Sequence, residues 1–318
     1  EKHHRREACM NKLNFYECRN MDIVLHTQKN ITVVRAIGED AEDYLQSQLT
    51  INLKNLNPGE IRYGMRLSLK GRVLAGVYVM RFGPEDFVLL SRGTEPSALI
   101  ELLEENVIAD EVDFSDESAD WKLQAVWGEG LTENLGFPLP ETQELKKVGD
   151  SYAFLDSRFP EGVVSILSSR GETSRSVGLP ERLRHDDQGE LEQMRIQAGL
   201  VAIPQEIGPT ELPQEGGLAE NFVDFDKGCY LGQEVMARLH AMGKARRRTC
   251  PVRWTGSESP VTPTDLFAGE KKVGTLKSLM MRKNDGVGIA LVHELGLPFL
   301  KEDGLVPVNA PPGKFETL

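Results

Sequence analysis

The order of strand-like and helix-like segments in the first third of the chain constrains its fold most. Residues 31–36 are rich in β-branched side chains and predict a strand, after which Asp40 is the N-cap of a predicted helix. Segments 72–82 and 87–90, joined by a Gly-Pro turn, predict paired strands, and Ser97 to Asn106 predicts an amphipathic helix. This order is typical of an α+β layer with helices on one face of a mostly antiparallel sheet.

The remainder of the chain shows shorter and more interrupted segments. Strands are predicted at 121–127 and 163–168, and a helix is predicted from Asp187 to Leu200. Residues 201–220 carry three prolines and a Gly-Gly pair, which predicts a long ordered loop or a lid. The final segments are short, are broken by Gly and Pro, and predict a small β-barrel. The strands of that barrel are predicted at 250–254, 271–276 and 286–292.

The length of 318 residues is enough for two or three domains. We divide the chain into a tail at 1–20, a first α+β unit at 21–115, a second at 116–245 and a small β-barrel at 246–318. Residues 1–20 contain no apolar core of a secretory signal, so we interpret them as a disordered or non-native tail, or as a misplaced start upstream of Met21.

Charge and cysteine content exclude several classes of protein. With 37 basic and 49 acidic residues, the net charge is −12, so the surface as a whole repels nucleic acid, and we expect no stable nucleic-acid binding. The longest apolar runs are too short for a membrane span. Four cysteines, none in C-x-x-C spacing, are too few for a disulfide scaffold and poorly spaced for zinc, which favours a reducing, cytoplasmic compartment and predicts no metal site.

The segment from Phe225 to Arg248 is the densest in chemistry-bearing residues. Cys229 lies between Gly228 and Gly232, which permit tight backbone conformations, and Lys227 is a nearby cation that favours a thiolate. On spacing alone two interpretations stay open. Cys229 is a functional thiol, or it is a small buried hydrophobic residue, as free cysteines usually are.

A compact basic cluster follows, at Lys244 and Arg246 to Arg248. It is suited to hold a carboxylate or phosphate group, and a solvated linker is at least as consistent with its charge. Direct RNA binding through these residues is a further hypothesis, opposed by the acidic total. The chain holds no phosphate-binding G-x-x-x-x-G-K-[ST], no G-x-G-x-x-G after a strand and no G-x-S-x-G elbow, which disfavours nucleotide hydrolysis and Rossmann-type redox chemistry.

The motif K-G-C-Y-L-G-Q-E, from Lys227 to Glu234, resembles the signature of the YgfZ family, a folate-binding branch of the superfamily that includes the glycine-cleavage T-protein. Further similarity lies in D-A-E-D-Y-L-Q-S-Q-L-T from Asp40, in R-I-Q-A-G-L from Arg195 and in L-P-Q-E from Leu212. The resemblance covers roughly residues 22 to 300.

The resemblance implies a ring of two ferredoxin-like α+β units around a central channel, with a C-terminal β-barrel. It implies tetrahydrofolate or a derivative as ligand in that channel and iron–sulfur enzymes as clients, including those that thiolate tRNA. Nothing in the sequence demands more than a monomer. Cys229 and Lys227 match the functional positions and are expected to line the channel. The remaining motif positions, expected to contact the cofactor, are Gly228, Tyr230, Gly232, Gln233 and Glu234. Arg246 and Arg248 are expected at the channel mouth, where they would hold the carboxylates of a folate tail.

Two departures from the superfamily pattern bear on catalysis. Where the T-protein carries its catalytic aspartate, this chain has Ala75 and Gly76, neither of which can accept a proton, so aminomethyl transfer by that mechanism is expected to be lost. Where the family's helix usually carries a glutamate that contacts the pterin, this chain has Gln197, an amide that can also donate. The alternative function is a folate-dependent aminomethyl or one-carbon transferase with a substituted base such as Asp226 or Glu234.

Overall fold

A computed structural model describes residues 23–318 except 161, 244, 257, 283, 284 and 308–312. The predicted tail at residues 1–20 and Lys244 of the basic cluster therefore lie outside the described residues. Within the described part of the chain, the structure consists of three β-sheets with short helices packed on them. No helix in that part is long and apolar enough to cross a membrane.

The first sheet is antiparallel and has the strand order β3-β4-β5-β2-β6. Its strands are β2 (Thr32–Ile37), β3 (Ile61–Leu67), β4 (Val73–Gly83), β5 (Asp86–Ser91) and β6 (Asp113–Asp116). Helices α1 (Ala41–Gln48) and α2 (Pro96–Glu104) cover one face, where Leu45 and Leu99 are fully buried with Val34 and Leu89. The predicted α+β layer is confirmed.

The second sheet has the order β11-β1-β7-β10-β9-β8 and is antiparallel except for the β1–β11 pair. Its strands are β1 (Val24–Gln28), β7 (Trp121–Trp127), β8 (Lys146–Val148), β9 (Ser151–Leu155), β10 (Val164–Ser169) and β11 (Arg184–His185). Helix α3 (Leu131–Asn134) follows β7. The domain boundaries at residues 115 and 245 stay predictions, although β1 pairs with strands beyond the first of them.

Helices and an irregular loop connect the second sheet to the barrel. Helix α4 (Glu190–Gln197) is shorter than predicted because Gly189 and Gly199, both with positive φ, bound it. The Pro-rich segment after it is largely irregular, as expected, but Pro213–Gly216 forms a 3-10 turn and α5 (Ala219–Phe222) begins within the segment predicted as loop. Helix α6 (Gln233–Met242) follows the signature motif.

The third sheet forms the predicted C-terminal β-barrel, with the order β16-β13-β14-β15-β12-β17. Its strands are β12 (Arg247–Trp254), β13 (Thr264–Ala268), β14 (Lys271–Arg282), β15 (Asp285–His293), β16 (Val306–Pro307) and β17 (Phe315–Thr317). Helix α7 (Leu297–Glu302) precedes β16. A bridge between Leu305 and Phe315 joins the two edges, and Trp254 and Phe315 fill the interior. The barrel prediction is confirmed.

The two α+β sheets pack against each other through the faces that their helices leave free. Tyr78 and Leu90 of the first sheet share a buried cluster with Phe154 and Leu167 of the second. A further cluster joins the end of β3 to the Pro-rich segment and to Ile289 of the barrel. The space between these clusters holds the cavity described next.

Candidate functional site

A cavity of about 360 Å³ lies where the two α+β sheets, the Pro-rich segment and the barrel meet. This volume is in the range of small-molecule binding sites. The wall combines apolar and aromatic surface with charged groups. It is lined by His26, Gln28, Tyr63, Gly76, Tyr78, Leu90, Arg92, Arg158, Phe159, Leu191, Glu192, Arg195, Val201, Ala202, Ile203, Gln205, Glu206 and Ser278. We call it the central cavity.

A buried ion pair between Arg92 and Asp156 forms one side of the central cavity. Ser165 Oγ donates to Asp156 Oδ2 at 2.6 Å, and the Tyr78 hydroxyl also donates to this carboxylate. Burial raises the pKa of Asp156, but the Arg92 charge and these hydrogen bonds outweigh it and hold the pKa below its usual value. The guanidinium lies 5.1 Å from the ring centres of Tyr78 and Phe159, so it presents a fixed positive charge on an aromatic wall.

A second buried cluster, centred on Arg195, forms another part of the wall. Arg195 pairs with Glu206 at 2.8 and 2.9 Å and with Glu192 at 2.6 and 2.8 Å. Glu206 is fully buried and also accepts hydrogen bonds from the backbone of Ala202 and from Ser278 of the barrel. Helix α4, the Pro-rich segment and β14 are therefore joined at the cavity by one carboxylate.

Gly76 faces the central cavity at the position where an aspartate would be expected in a T-protein. A Cβ atom at this position would lie 2.0 Å from the Tyr63 hydroxyl, so the tyrosine occupies the space of a side chain. Ala75, the alternate residue of the strand, faces the opposite side and is buried beneath the helices. The expected loss of an acid on this strand is thus accompanied by a tyrosine that fills its place.

Arg158 separates the central cavity from a second cavity of about 430 Å³. Its guanidinium stacks 4.9 Å from the ring centre of Tyr63 and 5.2 Å from that of Phe222, and its Nη2 donates to the Val201 carbonyl. Arg158 and Val201 line both cavities, and Arg248 lines the second. One arginine of the predicted basic cluster therefore lines a cavity that shares Arg158 and Val201 with the central cavity.

The neighbouring cluster residues are placed differently. Arg247 pairs with the buried carboxylate of Glu215 at 2.7 Å and ties the barrel to the Pro-rich segment. Arg246 lines neither cavity, and its carbonyl accepts a hydrogen bond from the backbone of Glu294.

The thiol of Cys229 is exposed, which makes the alternative of a buried hydrophobic residue wrong. The resemblance implied that Cys229 lines the central cavity. Instead, Cys229 lines a separate open cleft. We call this site the Cys229 cleft. Its walls are Ser47, Gln48, Leu69, Asn106, Cys229, Tyr230, Leu231, Gly232, Gln233 and Glu234. The motif residues Gly232, Gln233 and Glu234 thus surround the thiol rather than the cavity.

Lys227 is buried, and its ammonium group contacts backbone carbonyls rather than the thiol of Cys229. Its Nζ donates to the carbonyls of Gln46, Leu49 and Ile51 at 2.6 to 2.7 Å, which uses all three protons of the ammonium at the C-terminal end of α1. Burial lowers the pKa of Lys227 to about 8. The expectation that this cation faces Cys229 or the cavity is corrected, because its protons are committed to the helix end.

The two glycines beside Cys229 differ in their roles. Gly232 has φ of +81°, and a Cβ there would lie 2.7 Å from the Ser68 carbonyl, so the turn into α6 requires glycine. Gly228 does not have a positive φ, and a Cβ atom built there would have no other atom within 4 Å among the described residues. Tyr230 is 6% exposed and packs its ring 5.3 Å from Lys227 Nζ, so it supports the loop from beneath.

Gln197, the predicted pterin contact, does not line the central cavity. Glu192 and Arg195 on the same helix do, because residues three apart share a helix face and Gln197 lies two positions further round. Sequence reasoning missed Arg92, Arg158 and Asp156, since each is an isolated charged residue near the end of a strand and only the fold brings them together. Arg195 stands in the segment R-I-Q-A-G-L, whose similarity to the family did not indicate a role for this residue.

Comparison with known proteins shows which proteins this chain is similar to. A model of the GCVT N-terminal domain matches residues 15–132. The tRNA-modifying protein YgfZ of Edwardsiella ictaluri is 28% identical over 276 residues, which cover 83% of this chain and 82% of that protein. A mitochondrial iron-sulfur cluster assembly factor IBA57 homolog of Cryptococcus neoformans is 27% identical over 250 residues, covering 70% of this chain and 64% of the relative, slightly less than two thirds of its length.

Enzymes of the T-protein type are similar as well. An aminomethyltransferase of Thermoanaerobacter pseudethanolicus is 22% identical over 282 residues, covering 80% of this chain and 74% of the enzyme. The crystal structure of the glycine cleavage system aminomethyltransferase T from Bartonella henselae matches with a TM-score of 0.76 at 15% identity, covering 93% of this chain and 84% of that one. The fold class predicted from the resemblance is confirmed. The resemblance predicted from the signature is confirmed, since the chain is similar in sequence to YgfZ proteins, to IBA57 homologues and to aminomethyltransferases.

Proposed function

We propose that this protein binds tetrahydrofolate or a derivative in the central cavity and supports the assembly or repair of iron–sulfur clusters, including those of tRNA-thiolating enzymes, with Cys229 as its functional thiol. The relatives named as a tRNA-modifying protein and as an iron–sulfur cluster assembly factor support this role. The observation that carries the proposal is the pairing of an enclosed aromatic and arginine-lined cavity with an exposed thiol in a separate cleft.

The lining of the central cavity fits a reduced folate. A pterin is a flat ring with hydrogen-bonding edges, and Tyr63, Tyr78 and Phe159 offer aromatic surface beside it. Arg92, Arg158 and Arg195 on the wall add guanidinium groups, which can donate hydrogen bonds to ligand acceptors. A bound tetrahydrofolate supplies nitrogen atoms that carry one-carbon units.

The second cavity fits the carboxylate tail of a folate. Arg158 and Arg248 place two cations along it, and the carboxylate of Glu215, which also lines it, is paired with Arg247. We propose that the tail passes Arg158 toward Arg248. Arg246 lies outside this path.

The Cys229 cleft is suited to a macromolecular partner. The cleft is open, and Leu69 on its wall is 78% exposed, so a protein surface can reach the thiol. Cluster iron is commonly held by four cysteine thiolates, of which Cys229 would supply one. We propose that Cys229 contacts the cluster, or a thiol, of a client enzyme transiently. The free thiols of Cys229 and Cys250 agree with a reducing, cytoplasmic compartment, and a monomer suffices for this role.

Aminomethyl transfer is the less favoured function. It is supported by the aminomethyltransferase relatives, but the strand position that would hold the acid is Gly76, and the Tyr63 hydroxyl occupies the adjacent space. The assay that separates the two functions is the formation of methylene-tetrahydrofolate from an aminomethyl donor, for which we expect no turnover.

Ligand binding is tested by thermal unfolding of the purified protein with tetrahydrofolate. A ligand that binds only the folded state raises the melting temperature, and at one hundred times its Kd it contributes about 2.7 kcal/mol. We expect a rise that grows with concentration. No rise with any of several reduced folates would refute the folate proposal.

The thiol is tested in cells that lack the native gene. Cys229→Ser is expected to fold normally and to leave iron–sulfur enzyme activity unrestored, whereas Cys250→Ser on β12 is expected to restore it. Full restoration by Cys229→Ser would remove the thiol from the mechanism.

A further inference from the structure

His26 on β1 lines the central cavity and is held by a buried carboxylate. Its Nδ1 lies 3.1 Å from Asp186 Oδ2, with the Asp186 side chain fully buried and the histidine 28% exposed. Strand β1 pairs with β7 at His26 itself and with β11 at Val24 and Leu25, so the sheet holds the backbone that carries His26. The imidazole is therefore oriented by its neighbours before any ligand binds.

Asp186 also positions the helix that carries other cavity residues. Its carboxylate accepts hydrogen bonds from the backbone N–H groups of Glu190 at 2.7 Å and Leu191 at 3.1 Å, at the start of α4. Burial raises the pKa of Asp186, but these two hydrogen bonds and the contact with His26 outweigh it and lower the pKa overall. Asp186 is thus a carboxylate at neutral pH and can only accept hydrogen bonds.

An ionised Asp186 decides which nitrogen of a neutral His26 carries the proton. The proton lies on Nδ1, which donates to the carboxylate, and Nε2 is left as an acceptor. Among the described residues, no hydrogen bond to the His26 imidazole other than that of Asp186 is present. The ring thus offers an acceptor to a cavity whose other polar walls include the donors of Arg92 and Gln28.

We propose that His26 is a ligand-contacting residue of the central cavity, whose Nε2 accepts a hydrogen bond from an N–H group of the bound heteroaromatic ligand, with Asp186 as its positioning residue. The inference rests on the proposed function in that the ligand is a reduced folate. The inference adds a specificity rule for the ligand. A ligand ring that presents only hydrogen-bond acceptors at this point would leave His26 Nε2 without a donor and is therefore disfavoured.

Two substitutions separate the two nitrogens of the imidazole. The amide of His26→Asn can replace Nδ1 and keep the bond to Asp186, whereas the longer His26→Gln places its amide nearer the position of Nε2. Tetrahydrofolate binding is measured by calorimetry under reducing conditions, with the melting temperature of each free variant as the control for folding. We expect His26→Asn to bind about five- to tenfold more weakly, the effect of one lost hydrogen bond, and His26→Gln to recover most of the affinity.

A spectroscopic measurement distinguishes contact from structural support. The protein is labelled with ¹⁵N-histidine, and the His26 signals are assigned as those absent from His26→Asn. Tetrahydrofolate is expected to shift Nε2 and to leave Nδ1 nearly unchanged. An unmoved Nε2, or equal affinity of wild-type and His26→Asn proteins, would overturn the role of His26 and leave the folate proposal intact. If the wild-type protein does not bind tetrahydrofolate, the folate proposal fails and this inference fails with it.

Discussion

The central cavity and the Cys229 cleft are built by different means. Around the cavity, charged side chains are fixed by ion pairs with other side chains, as in the Arg92–Asp156 pair. At the cleft, contacts with the backbone hold the loop in place. Lys227 donates to three backbone carbonyls, and Gly232 packs against the backbone of the turn at Gly71. The first arrangement fixes polar side chains, as the proposed binding of a small ligand requires. The second fixes only the path of the chain and leaves the thiol exposed, as the proposed contact with a client protein requires.

If the two regions are separate, damage to the cavity should spare the thiol. Asp156→Asn leaves the Arg92 charge largely buried without its carboxylate, and we expect a loss of about 3–5 kcal/mol in the free energy of unfolding. Urea unfolding measures this loss. Tetrahydrofolate affinity is expected to fall, while the rate at which Cys229 reacts with a disulfide reagent stays constant.

The matched control for this variant is Asp265→Asn, whose ion pair with Lys272 is exposed, so that a change below about 0.5 kcal/mol is expected. A large fall in thiol reactivity in folded Asp156→Asn protein would show that the two regions are coupled.

The reverse experiment damages the cleft. Lys227→Met leaves three buried or partly buried carbonyls without their donor, and we expect a loss of about 3 kcal/mol and an altered reaction rate of Cys229. Tetrahydrofolate affinity should be unchanged. Lys271→Met, at an exposed site on the barrel, is the control. Wild-type stability and thiol reactivity in Lys227→Met would contradict the role assigned to this lysine.

The close approach of the Tyr63 hydroxyl to Gly76 at the cavity wall is tested with a small substitution. Gly76→Ala places a methyl group 2.0 Å from the Tyr63 hydroxyl, and such overpacking is expected to cost about 1–3 kcal/mol and to weaken ligand binding. Adding Tyr63→Phe removes the clashing oxygen and should recover part of both losses. Equal stability of the single and double variants would argue against this contact.

Acid should weaken the cavity through its buried carboxylates. The pKa values of Asp156 and Asp186 are lowered from 3.8, so their stabilisation is present above that pH and is lost as the pH falls through the lower folded values. Urea unfolding between pH 5 and pH 3 is expected to show a decline that begins near pH 4, and a shallower decline in Asp156→Asn. An identical slope in both proteins would exclude Asp156 as a source.

The smallest effect on stability is expected at the rim of the cleft. Leu69→Ser should change the free energy of unfolding by less than about 0.5 kcal/mol, because the side chain is 78% exposed. If a client protein docks there, iron–sulfur enzyme activity should fall by about fivefold, the effect of roughly 1 kcal/mol of lost binding. Val261→Ser, at an 82% exposed site that does not line the cleft, should have no effect.

Local patterns were enough to predict much of the fold. The content of β-branched and apolar residues placed β2 and β4 within one residue of their observed bounds. Of the two glycines expected to permit a tight backbone beside Cys229, Gly232 has a positive φ and Gly228 does not. These features depend on neighbouring residues, and neighbouring residues can be read in a sequence.

Pairings across long separations were not predictable in this way. Arg92 and Asp156 are 64 residues apart, and His26 and Asp186 are 160 apart. Each is an ordinary charged or polar residue in its own segment. Lys227 shows the same limit, because its carbonyl partners lie about 180 residues earlier in the chain.

The sequence by itself determined the α+β class, the barrel and the motif that contains the thiol, since periodicity, turn residues and a short signature are local properties. Only the tertiary structure decided that Cys229 opens to a cleft and that arginines line the cavity. Burial and ion pairing depend on which distant segments meet, and the energy of a buried charge is set by those neighbours rather than by its own position in the chain.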